Sequence, residues 1–243
     1  KSTQDPSAHV RLKAALILGS IGDKRALTAL AQIASKDGDD RWTRAAVLSG
    51  IGNRLADFLK EFRLQPKANL KANRAIMQDL GQLFGNGASM ADCKLLFEDL
   101  LKTSGNINTR ISTALGLAEG LNRRSDLVKS SKGILYSLLE EETQFKLLDK
   151  FMNQASSIAE NTQFSTEDRI SATTLLGYSE YAKFKVALKK VMDSKNPPEL
   201  QLASVNAIAR LADPDGGTFL TNKSIWSNYT PRVKSAVISA LVS

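Results

Sequence analysis

Residues 5–22 read DPSAHVRLKAALILGSIG, and residues 39–52 read DDRWTRAAVLSGIG. An offset of 30 pairs Ala15 with Ala45, Leu18 with Leu48, Ile21 with Ile51 and Gly22 with Gly52. The pattern returns as NTRISTALGLAEGL around Arg110, EDRISATTLLGYS around Arg169, PELQLASVNAIARLAD around Gln201 and TPRVKSAVISALV around Arg232. From 169 to 201 is 32 residues and from 201 to 232 is 31, so the period holds late in the chain. The 59 residues from 110 to 169 span two periods and leave room for an extra helix near 143–160. Self-similarity at a fixed spacing of this size marks a tandem-repeat architecture.

Within each unit the apolar spacing is helical. Ala26, Ala29, Leu30, Ile33 and Ala34 fall at i, i+3, i+4, i+7 and i+8, as do Phe184, Ala187, Leu188, Val191 and Met192. No segment alternates apolar and polar residues as a half-buried strand would. All six prolines, Pro6, Pro66, Pro197, Pro198, Pro214 and Pro231, stand where periodicity stops, which is where a helix tolerates a residue without an amide donor. Asp5 and Thr230 read as caps, and Asn196-Pro197-Pro198-Glu199 reads as a capping box. Gly22, Gly52, Gly85 and Gly120 read as helix stops with positive φ. The fold class expected is all-α: a right-handed α-α superhelix of roughly seven to eight helical hairpins, forming one solenoid domain over residues 1–243. A pair of amphipathic helices cannot bury both its faces alone, so units stack, and small residues mid-helix let them approach closely.

Composition narrows the chemistry. Among 243 residues there is one cysteine, Cys93, and one histidine, His9. That excludes an internal disulfide framework, a cysteine-rich metal site and nearly every two-histidine metal motif. No apolar run reaches the ~18 residues of a membrane span. The chain carries no P-loop, GxSxG, HExxH or EF-hand loop, and DPDGG at 213–217 matches a calcium loop in composition only. No cofactor is expected. The formal net charge of +8 favours an acidic partner.

The stretch Asp5, Pro6, Val10, Arg11, Ala14, Ala15, Leu18, Gly19 resembles a HEAT repeat of the short form, and the likeness extends along the chain, strongest at 5–62 and 196–242. More narrowly, RWTRAAVLSGIG with LADFL, and the C-terminal stretch from Asn196, resemble the HEAT segment of large bacterial membrane-bound dehydrogenase proteins. In that family the segment lies between a β-propeller and a c-type haem domain bearing Cys-x-x-Cys-His. Cys93 is followed by Lys94, so no redox residue of the family maps onto this chain. The resemblance implies a non-catalytic spacer or protein-interaction scaffold inside a larger bacterial protein, in an extracytoplasmic (periplasmic) setting, with a protein or neighbouring domains of the same chain as partner. Opening on Lys1 and closing on an apolar last helix, the chain reads as a segment continued beyond residue 243.

Two sets of cations stand out. Arg11, Arg44, Arg110, Arg169 and Arg232 recur near the start of first helices; they are expected to form a structural ladder by bonding carboxylates or carbonyls of neighbouring units. Lys24, Arg25, Arg54, Arg123, Arg124 and Lys129 recur where second helices are expected to begin; there cations oppose the helix dipole, and they are the candidate binding residues. The alternative function is nucleic-acid binding through a basic concave face, as in the HEAT-like alkylpurine DNA glycosylases, for which Asp40, Trp42 and Arg44 are the nominees. A phycobilin-lyase-type role shares only the repeat itself. Trp42 aligns with Leu12 and is expected between helices; Cys93, between Met90 and Phe97, is expected in the core; and Glu140–Glu142 read as a solvated turn at a helix end.

Overall fold

Many helix starts are set by side chains that accept the first free amides, as Asp40, Asn69, Ser165 and Thr230 do. The structure, a computed structural model, describes residues 2–66, 69–124 and 133–242. Among the described residues it is helix and turn without strand. The α-helices are α1 (Ala8–Leu18), α2 (Lys24–Asp37), α3 (Arg41–Ile51), α4 (Leu55–Arg63), α5 (Leu70–Gly87), α6 (Met90–Lys102) and α7 (Ile107–Asn122). They continue as α8 (Glu142–Glu160), α9 (Thr166–Leu176), α10 (Tyr181–Val191), α11 (Pro198–Leu211), α12 (Pro214–Leu220), α13 (Lys223–Trp226) and α14 (Pro231–Leu241). Short 3-10 turns lie at Ser2–Gln4 and Ile134–Leu138.

The chain divides into two compact units, residues 1–93 with 112–123, and residues 94–111 with 124–243. In the first, α1 packs on α2 and α3, and α2 packs on α3, α4 and α5. Leu30, Ile33, Ile51, Phe58 and Ile76 are wholly buried there. In the second, α9 packs between α8 and α11, α10 packs on α8 and α11, and α14 packs on α11. Phe97, Leu135, Phe151, Leu188 and Val205 are buried in that core. First helices thus lie on first helices and second on second, the stacking of a HEAT-like α-α repeat. The helix expected near 143–160 is α8, and within the second unit it contacts α10 as α2 contacts α4 in the first.

Punctuation in the structure departs from the sequence reading in instructive places. Thr230 caps α14 through Val233 N, with Pro231 at the first helical position, as read. Asn196 caps nothing. Its carboxamide nitrogen donates to Lys190 O and Val191 O, its oxygen accepts from Arg169, and Pro197 takes the cap position. Glu199 pairs instead with Arg232, so no capping box forms. Asp5 accepts from Ser7 N, but α1 starts only after Ser7. Of the four glycine stops, Gly52 alone has positive φ, at 54°.

Gly85 and Gly120 lie inside helices and serve a different purpose. With Gly81 and Gly116 they form the seam where α5 meets α7 in the first unit. A Cβ on Gly85 would lie 2.9 Å from Gly120 Cα, and one on Gly116 would lie 2.8 Å from Gln78 C. Gly19 and Gly50 do the same for α1 and α3, a Cβ on Gly19 falling 2.7 Å from Gly50 Cα. Close backbone approach, not turning, is what these glycines supply.

Candidate functional site

Counting from each cap aligns the units better than any sequence offset. Ser7, Asp40, Asn69, Ser165, Pro197 and Thr230 occupy the cap of α1, α3, α5, α9, α11 and α14. Asn106 accepts the first amides of α7. The fourth helical residue, whose amide closes the first turn onto the cap carbonyl, is then Arg11, Arg44, Asn73, Arg110, Arg169, Gln201 or Lys234. Between α1 and α3 the true step is therefore 33 residues, not 30.

At Arg11, Arg44, Arg110, Arg169 and Gln201 the long polar side chain curls back onto the chain before it. Arg11 donates from Nε and Nη2 to Asp37 at 2.5 and 2.6 Å, and from Nη1 to Asp5 O and, at 3.0 Å, Pro6 O. Arg44 donates to Asp79 at 2.8 Å, to Gly38 O at 2.9 Å and to Asp39 O at 3.1 Å. Arg110 reaches Leu100 O at 2.9 Å and Leu101 O at 3.4 Å, with its guanidinium over the Phe151 ring. Arg169 reaches Ala159 O at 3.0 Å and Asn196 Oδ1 at 2.8 Å. Gln201 donates to Asp193 O and Asn196 O. Several of these carbonyls end the preceding helix, where the dipole favours a cation. The hydrogen bond to Asp37 raises Arg11 above the ordinary arginine value, while burial draws Arg110 and Arg169 below it.

Arg232 is not at this position. It is the second residue of α14, exposed, and 3.1 Å from Glu199. Lys234 stands at the fourth, its ammonium 6.0 Å from the Trp226 ring centroid. Sequence alignment of the repeats finds Gln201 but not Asn73 and Lys234, because arginine is sought at this position; the signal that finds them is distance from the cap.

The second set of cations separates in the structure. Lys24 and Arg54 line a groove of about 340 Å³ beside α2 and α4, together with Lys60, Asp57 and Glu61. Lys24 lies 3.6 Å from Glu61, and Lys60 3.6 Å from Asp57. Arg54 donates to Ile51 O and Gly50 O at the end of α3. Arg25 folds back on Asp23, which its side chain holds below the usual carboxylate range. Arg123 and Arg124 follow the C-terminus of α7, which runs on to Asn122, where cations suit the dipole. Lys129 lies outside the described residues. Within the first unit, Lys24 and Arg54 share one groove while Arg25 folds back on Asp23.

Asp40, Trp42 and Arg44 form no cleft. Asp40 caps α3, accepting from Thr43 N and Oγ1 at 2.7 and 2.8 Å, and those bonds lower its carboxyl from the ordinary value. Arg44 is engaged as above. Trp42 is not between helices: it is 67% exposed, with Arg41 stacked 5.4 Å from its ring centroid. Cys93 is buried and donates to Phe84 O. Glu140–Glu142 stand at the start of α8, where carboxylates suit the dipole, and Glu140 pairs with Lys94.

One polar cluster escaped the sequence altogether. Tyr136 donates to Asp149 Oδ1 at 2.5 Å, and Lys183 donates to the same oxygen at 3.1 Å, tying α8 to α10. Burial, first of all, pushes the Tyr136 hydroxyl up to about 12, and Lys183 is raised as well, despite its own partial burial, by Asp149 and Tyr136. Both groups keep their protons at neutral pH, so neither acts as a general base there. Among the described residues no three of His, Cys, Asp or Glu converge as metal ligands, and no helix is long and apolar enough to cross a membrane.

Among the described residues, exposed apolar side chains on the first helices of the first unit include two neighbours on α1 and one aromatic on α3. Leu16 is 59% exposed and Ile17 66%, close to the exposure of Trp42. Residues 1–52, the stretch holding α1 and α3, match the family model for HEAT repeats. No curated protein matches the chain.

Proposed function

We propose that this chain is a non-catalytic protein-interaction module whose contact surface includes the outer faces of α1 and α3. One observation carries it: Leu16, Ile17 and Trp42 stand in water while Leu30, Ile33, Ile51 and Phe58 of the same unit are wholly buried. HEAT repeats generally mediate protein interactions, and exposed aromatic and aliphatic side chains grouped on one region mark such surfaces. The resemblance of residues 41–59 and of the C-terminal stretch to the HEAT segment of bacterial membrane-bound dehydrogenases supports placing the module as a spacer or docking element in an extracytoplasmic multidomain protein. The net charge of +8 favours an acidic partner.

The second reading, nucleic-acid binding, draws on the same charge and on the groove holding Lys24, Arg54 and Lys60. It is the weaker, because acids face two of those cations and Arg54 is turned onto carbonyls. The deciding experiment is photo-cross-linking in the full-length natural protein, with the reactive residue at position 42 and a control at position 60. Protein adducts at 42 that are absent at 60 support the proposal. Adducts with nucleic acid, together with DNA affinity that falls steeply between two salt concentrations, overturn it.

A further inference from the structure

In the second unit a short turn, residues 134–139, packs against α8 and α10, with Ile134, Leu135, Tyr136, Leu138 and Leu139 all buried. Tyr136 anchors it. Its ring stacks on Phe145 with centroids 6.1 Å apart, its hydroxyl donates to Asp149, and the Lys183 ammonium lies 5.2 Å from its ring centroid. The turn begins at Gly133, which presses on Tyr178 O and Ser179 Cα in the bend before α10. Helix register carries this place over to the first unit. Counting from the caps Arg54 and Glu180 sets Phe58 and Phe62 of α4 on Phe184 and Leu188 of α10, and Asp57 on Lys183. The buried row Leu27, Leu30, Ala31 and Ala34 of α2 falls on Leu148, Phe151, Met152 and Ala155 of α8, which sets Lys24 on Phe145 and Thr28 on Asp149. Lys24 and Asp57 both line the groove of about 340 Å³ beside α2 and α4. The first unit thus keeps open the place that Tyr136 fills in the second. A Cβ on Gly22 or Gly52, in the two bends beside it, would meet nothing within 4 Å.

The chemistry of that place is kept, with its charges exchanged between helices. A tyrosine lying as Tyr136 lies would take the Lys24 ammonium on its ring where Tyr136 has Phe145. Its hydroxyl would meet Asp57 and Thr28 where Tyr136 meets Lys183 and Asp149. Glu61, its side chain 13% exposed and accepting from Thr28, adds a second carboxylate that repels an anion there. We infer that the groove between α2 and α4 binds a tyrosine side chain carried on a short apolar turn of a partner protein. This goes beyond the interaction-module reading by adding a second contact on the first unit, one that does not depend on Trp42. Nearby chain of the same molecule is the poorer source. The five residues 19–23 are taken up in joining α1 to α2, and residues 2–4 sit at the other end of α2, where Thr3 donates to Gln32, eight residues or about 12 Å from Lys24. Lys60 stands outside the contact, because its counterpart Val186 remains 61% exposed beside the docked turn.

The test uses the whole chain and a fluorescein-labelled peptide copying residues 133–141, with one twin carrying Tyr136→Phe and another phosphorylated on the tyrosine, measured by fluorescence anisotropy. The tyrosine peptide is expected to bind about tenfold more tightly than the phenylalanine twin, the loss expected for one hydrogen bond to a charged group. Asp57→Ala in the chain should erase that difference, and Lys24→Ala should weaken binding about threefold, as removal of an exposed cation from a ring face does. Both side chains are exposed, and circular dichroism checks that both variants remain folded. Lys183→Ala should leave peptide binding unchanged. Binding that follows Lys183→Ala rather than Asp57→Ala means exchange with the chain's own turn and overturns the assignment. So do equal affinities for the tyrosine and phenylalanine peptides, tighter binding of the phosphorylated twin, or no binding at all. Any of these, with protein cross-links at position 42 intact, would sink the groove and leave the interaction module standing.

Discussion

Placing a methyl group at Gly116 tests whether the α5–α7 seam is held together by backbone proximity. Alanine is favoured over glycine inside a helix by about 1 kcal/mol, so propensity alone predicts that Gly116→Ala stabilises. The seam opposes this. The added Cβ would sit 2.8 Å from Gln78 C and 3.0 Å from Gln82 N, and nearer still to Gln78 O. Ordinary contact begins at 3.4 Å, and the obstructing atoms are backbone, so no rotamer change relieves them. The helices must part by several tenths of an ångström, loosening the contacts at Gly81, Gly85 and Gly120 together. Overpacking of this kind costs about 1–3 kcal/mol, the upper end applying where backbone must move. After the propensity gain, a net loss of about 1–2 kcal/mol is expected. Gly87, in the last turn of α5, meets nothing within 4 Å, so Gly87→Ala should stabilise by up to about 1 kcal/mol. Urea unfolding followed by far-ultraviolet circular dichroism reads both, with the slope checked because repeat arrays can lose cooperativity. If both midpoints rise together, the seam does not work as described.

Other perturbations probe other ties. Arg11→Ala leaves the nearly buried Asp37 and two carbonyls without their donor and should cost about 3–5 kcal/mol; Arg11→Lys should recover only part, since an ammonium cannot make the paired contacts. Asp40→Ala should cost about 1 kcal/mol of helix capping, measured by urea midpoint. Because Thr43 lowers the Asp40 carboxyl in the folded state, its contribution is present above the ordinary aspartate value and fades as pH falls through the lowered one. Asp40→Asn should keep the cap and flatten that acid dependence. Tyr229 has a buried hydroxyl without a hydrogen-bond partner among the described residues, and burial pushes it up to about 12. Tyr229→Phe should be neutral or slightly stabilising by calorimetry, and the wild-type's loss of stability as pH rises from 10 towards 12 should shrink.

The architecture was legible because helical periodicity and repetition are local signals. What sequence pattern could not settle was which glycine turns the chain and which lets two helices touch: Gly52 and Gly85 look alike in one dimension, and only the partner helix distinguishes them. Register failed for a related reason. Matching Ala15 to Ala45 satisfies composition, whereas the bonds of Arg11 and Arg44 to the carbonyls six and five residues earlier fix the step at 33. Asn196 shows the limit of motif reading, since a long-range donor, Arg169, claims the oxygen that a cap would use. Trp42 follows from the register slip: an offset of 30 matches it to Leu12 and predicts interhelix packing, whereas a step of 33 matches it to the exposed His9. The Tyr136–Asp149–Lys183 cluster joins residues 47 positions apart and carries no sequence mark.

Because Arg44, Arg110, Arg169 and Gln201 grip the segments leading into their helices, the spacers 38–40, 103–106, 161–165 and 192–197 are all short. A single residue inserted in one of them would throw the next helix out of step, so grafted epitopes, tags or foreign modules belong instead at 19–23, inside the first hairpin, which no side chain at the fourth position holds.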